Sequence, residues 1–173
     1  MQSFLLIYST VDGHTKNISK EIGSYITDKF KVSIMSIDDV TKKILIDHDR
    51  VLIGASIRYG KYRSNVYKFI SENIDILKDK SASFFSVNVV ARKSDKNTPE
   101  TNPYVVKFLK QTAWQPTYTA VFAGKIDYPK YGFLDKHIIR FIMWITKGPT
   151  DLSKSYEFTD WQAIENFAVQ ISY

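Results

Sequence analysis

A run of small polar residues, Ser9-Thr10-Val11-Asp12-Gly13-His14-Thr15, lies between a fully apolar stretch and an amphipathic one. Ser9, Thr10 and Thr15 bring hydroxyls, and Gly13 permits a tight turn that lets successive N–H groups point into one concavity. Placed at the start of a helix, that is chemistry for holding a phosphate monoester. The same residues also read as plain capping, with Asp12 as the cap. Two later loops bear on the choice. Gly54-Ala55-Ser56-Ile57-Arg58-Tyr59-Gly60-Lys61-Tyr62-Arg63-Ser64 has glycines for close backbone approach to a ligand. Tyr59 or Tyr62 can stack on a planar ring there, and Arg58, Lys61 and Arg63 add positive charge. A solvated basic loop is the plainer reading. Ser86-Val87-Asn88-Val89-Val90-Ala91-Arg92-Lys93 adds a polar backbone edge, where Asn88 can hydrogen-bond a ring or form a simple Asn turn.

Strands and helices must hold these loops. Phe4 to Tyr8 is continuously apolar, as in a strand buried on both faces, and Ile18, Ile22, Tyr25 and Ile26 recur on one face of a helix over residues 16–30. Lys31 to Ile37 alternates as a strand nearer the sheet edge, closed by Asp38 and Asp39. Val51-Leu52-Ile53 is a third strand, followed by a helix carrying Val66, Phe69, Ile70, Ile74 and Leu77 with Ser64 or Asn65 as cap. Ala82 to Val90 is a fourth strand, Thr98-Pro99-Glu100 opens a helix through about Ala113, and Tyr118 to Gly124 is a fifth strand. Thr159-Asp160-Trp161 caps a last helix with Ile164, Phe167, Ala168 and Ile171 inside. The pattern predicts an α/β doubly wound, five-stranded parallel sheet with helices on both faces. Ligands in such sheets bind beyond the carboxyl ends of the strands where the order reverses, so the three loops share one rim.

A dinucleotide-binding Rossmann domain needs a glycine triplet in its first loop, where only Gly13 stands. A receiver domain needs an aspartate after the third strand, where Gly54-Ala55-Ser56 stands. At 173 residues and 44% hydrophobic, the chain is read as one domain over residues 1–173. With no cysteine it has neither disulfide nor thiol chemistry, and the apolar run from Phe4 to Tyr8 is too short for a signal sequence, so an intracellular protein is expected. A net charge of +6 favours anionic partners without choosing among them. His14, His48 and His137 read as capping, surface or packing residues, so no catalytic acid or base is identified, and their spacing offers no metal site.

Between Lys125 and Asp151 lies a long insertion after or within the fifth strand. Over residues 133–147 a helical projection places Leu134, Ile138, Phe141, Ile142 and Ile145 on one face and Lys136, Arg140 and Lys147 on the other, with Met143 and Trp144 at the boundary. This basic amphipathic helix suits an anionic membrane surface or the cover of an apolar ligand. An ordinary helix packed on the core is the alternative.

Together the three loops resemble those of FMN-binding flavodoxin-like proteins. Ile53 to Gly60 and Ser86 to Lys93, with the first loop, Tyr128-Pro129-Lys130-Tyr131 and Thr159-Asp160-Trp161, are similar to the bacterial quinone-dependent protoporphyrinogen IX dehydrogenase family over nearly the whole chain. Departures gather in the insertion, around Phe141-Ile142-Met143-Trp144-Ile145. The resemblance implies oxidation of protoporphyrinogen IX to protoporphyrin IX in haem biosynthesis, with electrons passed through FMN to a membrane quinone, usually menaquinone. It implies FMN contacts from Ser9, Thr10, Val11, Asp12, Gly13, His14, Thr15, Ser56, Ile57, Arg58, Tyr59, Gly60, Ser86, Val87, Asn88, Val89 and Ala91. Substrate carboxylates and ring would meet Arg58, Tyr62, Arg63, Arg92 and Lys93. It further implies a cytoplasmic protein held peripherally on the anionic inner membrane by residues 125–151, with a homo-oligomer left open and no nucleic-acid partner. The main rival is a flavodoxin-like FMN electron carrier without a substrate of its own, although the acidic surface usual for such carriers is lacking. A colourless module binding nucleic acid or membrane through its charge ranks last.

Overall fold

The computed structural model describes residues 1–173, the side chain of Ser81 excepted. Five parallel strands, β1 (Gln2–Ser9), β2 (Phe30–Ser36), β3 (Arg50–Ser56), β4 (Ser81–Asn88) and β5 (Thr119–Ala123), form a sheet in the order β2-β1-β3-β4-β5. This is the flavodoxin-like order, and it reverses between β1 and β3. Successive residues of β1 point to opposite faces, so an unbroken apolar run means that both faces are covered. Phe4 and Leu6 join one core, and Leu5 and Ile7 the other.

The first core is closed by α1 (His14–Ile26) and by α6 (Trp161–Ile171), through Ile18, Ile22, Ile164 and Phe167. The other is closed by α2 (Lys42–Asp47), α3 (Ser64–Asp79) and α4 (Pro103–Thr112), through Leu45, Val66, Ile70 and Phe108. Tyr25, expected inward, is 40% exposed. The short α2, capped by the Thr41 hydroxyl, has no counterpart in the sequence reading. Gly54 serves the core: a Cβ there would overlap the Phe85 ring, so its missing side chain is filled by an aromatic and not by a ligand.

Two caps differ from expectation. Arg63 precedes α3 without a side-chain cap, because Asn65 is engaged by Asp38 and Ser9. α4 starts at Pro103 rather than near Pro99, since two cap-proline pairs occur in succession and the buried Asn102 prevails. Its carboxamide oxygen accepts from the Tyr104 and Val105 amides, and its Nδ2 donates to Asn88 Oδ1 at 3.1 Å, tying the cap to the end of β4.

After β5 the insertion builds a small unit of its own. β6 (Lys125–Asp127) pairs antiparallel with β7 (Ser155–Glu157), and α5 (Phe133–Ile145) lies between them in sequence. Ile126, Tyr128 and Met143 form its core, with Ile139, Ile142, Leu152 and Phe158 packed around them. The face of α5 singled out by its hydropathy is turned outward. Leu134, Phe141, Trp144 and Ile145 are 73%, 58%, 69% and 59% exposed, and of the projected apolar set only Ile142 packs inward. No helix among the described residues is long and apolar enough to cross a membrane.

Candidate functional site

The loops after β1, β3 and β4 converge at the carboxyl ends of their strands around a cleft open on one side. Thr10, Val11, Asp12, His14 and Thr15 form one wall; Ser56, Ile57 and Arg58 the second; Val87, Asn88 and Val89 the third. Gly124 and Lys125, which follow β5, complete it and were absent from the sequence-based site. No motif marks them; parallel pairing of β4 with β5 brings them to the rim.

Gly13 makes the first turn. Its φ is 87°, a left-handed conformation open to glycine, and its N–H donates to Thr10 Oγ1 at 2.9 Å. α1 then begins with no side-chain cap and no acid in its first turn, which leaves its electropositive end facing the cleft. Among the described residues, two buried side-chain polar atoms lack a partner, Thr15 Oγ1 and Trp114 Nε1, and Thr15 is the one that lines the cleft. An unmatched buried hydroxyl costs about 1–3 kcal/mol, a debt that an acceptor oxygen bound there removes. The lining therefore fits a phosphate-bearing cofactor such as FMN.

Arg58 neutralises the acid in that loop. Its Nη1 lies 2.6 Å from Asp12 Oδ2, and its Nη2 lies 3.3 Å from Asp135 Oδ2 on α5. Burial is the largest single influence and works against the guanidinium charge, but Asp12, Tyr59 and Tyr131 together outweigh it and hold the pKa above the ordinary value. The ring of Tyr131 stacks 5.0 Å from the guanidinium, and the Tyr59 hydroxyl donates to Asp135 Oδ1. His14 is pushed below its ordinary pKa, first by burial, and its Nε2 pairs with Thr159 Oγ1 at 2.7 Å. Since that hydroxyl donates to the Ala123 carbonyl, His14 Nε2 is the donor in this pair.

A second chamber, mostly apolar and open to solvent on one side, adjoins the cleft beneath α5. Arg58, Tyr59, Gly60 and Tyr131 stand on one side, Val89, Val90 and Ile126 on another, and Ile139, Ile142 and Met143 form the roof.

Other residues named from sequence lie elsewhere. Ser9 is buried and donates to Asn65. Tyr62 is 3% exposed; its hydroxyl donates to Ser86 Oγ at 2.7 Å, and burial pushes its pKa up. The two therefore satisfy each other inside the sheet core, away from the cleft. Ala91 is buried and donates its N–H to Asn88 Oδ1, so the Asn88 carboxamide closes a turn at the end of β4 while the residue still lines the cleft. Arg63 sits 3.7 Å from Asp38 over a separate hollow with Tyr67 and Lys107. Arg92 is spent on carbonyls of the β4 turn and of α5, and Lys93 lines neither the cleft nor the chamber.

A family model for the flavodoxin domain matches residues 5–153. A protoporphyrinogen IX dehydrogenase (quinone) from Leishmania major is 44% identical over 166 residues, covering 95% of this chain and 72% of that protein. The Escherichia coli K12 protein of the same name is 38% identical over 174 residues, covering 98% and 94%. Among solved structures, a flavodoxin from the domain Archaea superposes with a TM-score of 0.56 at 14% identity, covering 99% of this chain and 96% of that one, a likeness of fold. At such identity over nearly the full length of the bacterial relative, the chain belongs to the quinone-dependent protoporphyrinogen IX dehydrogenase family of flavodoxin-like oxidoreductases.

Proposed function

We propose that this protein oxidises protoporphyrinogen IX to protoporphyrin IX with FMN bound in the cleft, and delivers the electrons to a membrane quinone such as menaquinone. The observation that carries the reading is a phosphate-type cleft opening directly into an apolar chamber roofed by the insertion helix. Four residues, Asp12, Arg58, Asn88 and Lys125, among those common to both linings, stand where cofactor and substrate would meet.

FMN, when bound, supplies a two-electron acceptor of a kind no side chain provides, so complete ring oxidation takes repeated rounds of reduction and reoxidation. Everything else falls to the protein. Thr10, Thr15 and the first turn of α1 hold the phosphate, with Lys125 as a nearby cation. Ile57, Val87 and Val89 present apolar surface to a flat ring, and Arg58 keeps the Asp12 carboxylate paired so that it does not repel the phosphate. In the chamber, Ile139, Ile142 and Met143 cover the tetrapyrrole and exclude water from the reacting face. The outward ridge of α5, with Arg140 and Lys147 beside it, lies on the anionic cytoplasmic face of the inner membrane, where quinone is dissolved.

Anaerobic stopped-flow mixing of FMN-loaded protein with protoporphyrinogen IX tests this. The oxidised flavin band should bleach within a turnover and return on adding menaquinone. A flavin that binds yet stays oxidised would leave an electron carrier, and a protein that takes up no FMN would end the reading.

A further inference from the structure

Arg58 is shared between two carboxylates from distant parts of the chain. Asp12 holds it at 2.6 Å, and Asp135 at 3.3 Å. The Arg58 side chain is 17% exposed, whereas the two acids are 41% and 43% exposed, so the acids are the members that an incoming ligand can reach. The longer contact comes from α5, in the insertion that roofs the chamber. Asp135 is held there by a second tie, the Tyr59 hydroxyl. Tyr59 and Gly60 have φ values of 51° and 77° and are bracketed by reciprocal hydrogen bonds between Arg58 and Lys61, the geometry of a two-residue hairpin turn that favours Asn or Gly at its first position. A tyrosine there carries backbone strain and places its hydroxyl on the acid.

We propose that Asp135 is a built-in stand-in for a substrate carboxylate: on binding, an anionic side chain of the porphyrinogen takes over Arg58 Nη2, and Asp135 with the start of α5 is released. The inference rests on reading the adjoining chamber as the porphyrinogen site. It makes Asp135 a specificity-determining residue, because a substrate must offer an anion to replace the one it displaces. An isosteric ring without carboxylates leaves the clasp shut. Asp12, at the shorter distance and on the phosphate loop, stays in place and keeps the guanidinium oriented.

Binding of protoporphyrin IX and of its dimethyl ester to the FMN-loaded protein, followed by tetrapyrrole fluorescence, tests the exchange. Asp135→Asn should tighten the diacid about tenfold and leave the diester unchanged, since a charge-assisted competitor is removed for the diacid alone. Arg58→Gln should abolish the diacid preference, and in the Arg58→Gln background Asp135→Asn should have no further effect. Equal shifts for both probes would mean that Asp135 merely holds α5 in place, and an unchanged diacid affinity would likewise overturn the inference while leaving the chamber assignment standing. If wild-type protein bound neither probe, the chamber assignment and the exchange would fall together.

Discussion

Arg92 Nη2 donates to the Thr146 carbonyl at 2.9 Å and to its hydroxyl at 3.2 Å, while Nη1 reaches the Val89 carbonyl at 3.0 Å. One guanidinium thus stitches the end of α5 to the turn that follows β4. Arg92→Ala leaves acceptors on both sides unmatched and should destabilise the insertion by about 1–3 kcal/mol. Hydrogen exchange should rise over residues 133–152 and not in the main sheet, with FMN affinity retained. Uniform exchange would show that Arg92 does not act as a clamp.

Thr15→Val replaces the orphaned buried hydroxyl by a methyl of similar shape. Two opposite effects are expected. The apoprotein should melt higher, because an unsatisfied polar atom is gone, while FMN affinity should fall about tenfold with riboflavin affinity unchanged. Equal losses for the two flavins would place the hydroxyl away from the phosphate.

Lys125 lines the cleft and the chamber, and its partner Asp127, 3.8 Å away, is nearer to Lys130 at 3.2 Å. Its charge is thus available to a phosphate dianion. Lys125→Met should lower FMN affinity several-fold and flatten its dependence on salt, since a cation near an anionic ligand contributes an attraction that ions screen. A salt dependence identical to wild type would count against this role.

Phe141 and Trp144 form an exposed pair on α5, their rings 6.1 Å apart. Replacing both with Ser removes apolar area that a bilayer would cover, at about 25 cal/mol per Å². Sedimentation with anionic vesicles should drop at least tenfold while melting temperature and FMN binding stay near wild type. Undiminished sedimentation would assign the ridge to some other contact.

His14 is held below its ordinary pKa of 6.5 chiefly by burial. The unfolded chain therefore binds the proton more readily than the folded one, so stability is greatest above that value and declines as pH falls through it. Between about pH 7 and about 5.5 the wild-type melting temperature should drop more steeply than that of His14→Gln. Parallel profiles would show that another group governs the decline.

Much of the architecture is legible along the chain because it depends on local pattern. Two-sided burial writes β1 as an unbroken apolar run, and α1 and α6 carry their inward residues at helical spacing. The phosphate-type loop is legible for the same reason, since turn, hydroxyls and helix start are neighbours in sequence. What side chains do across the fold is not local. Tyr62 and Ser86, both read as rim residues, turn inward because strand and loop phase bring a phenol and a hydroxyl together under α4. β6 and β7 are three residues each, too short to show a period, and they pair across the whole insertion. Amphipathicity showed that α5 has two faces, but packing against Ile126 and Tyr128 decided which one turns inward. Sequence alone determined the α/β class, the hydroxyl-rich glycine turn before α1 and the family likeness, all written in neighbouring residues. Only the tertiary structure decided that Arg58 joins Asp12 to Asp135, that Arg92 bonds to Thr146, and that Lys125 lines the cleft, because each depends on groups dozens of residues apart meeting at a few ångströms.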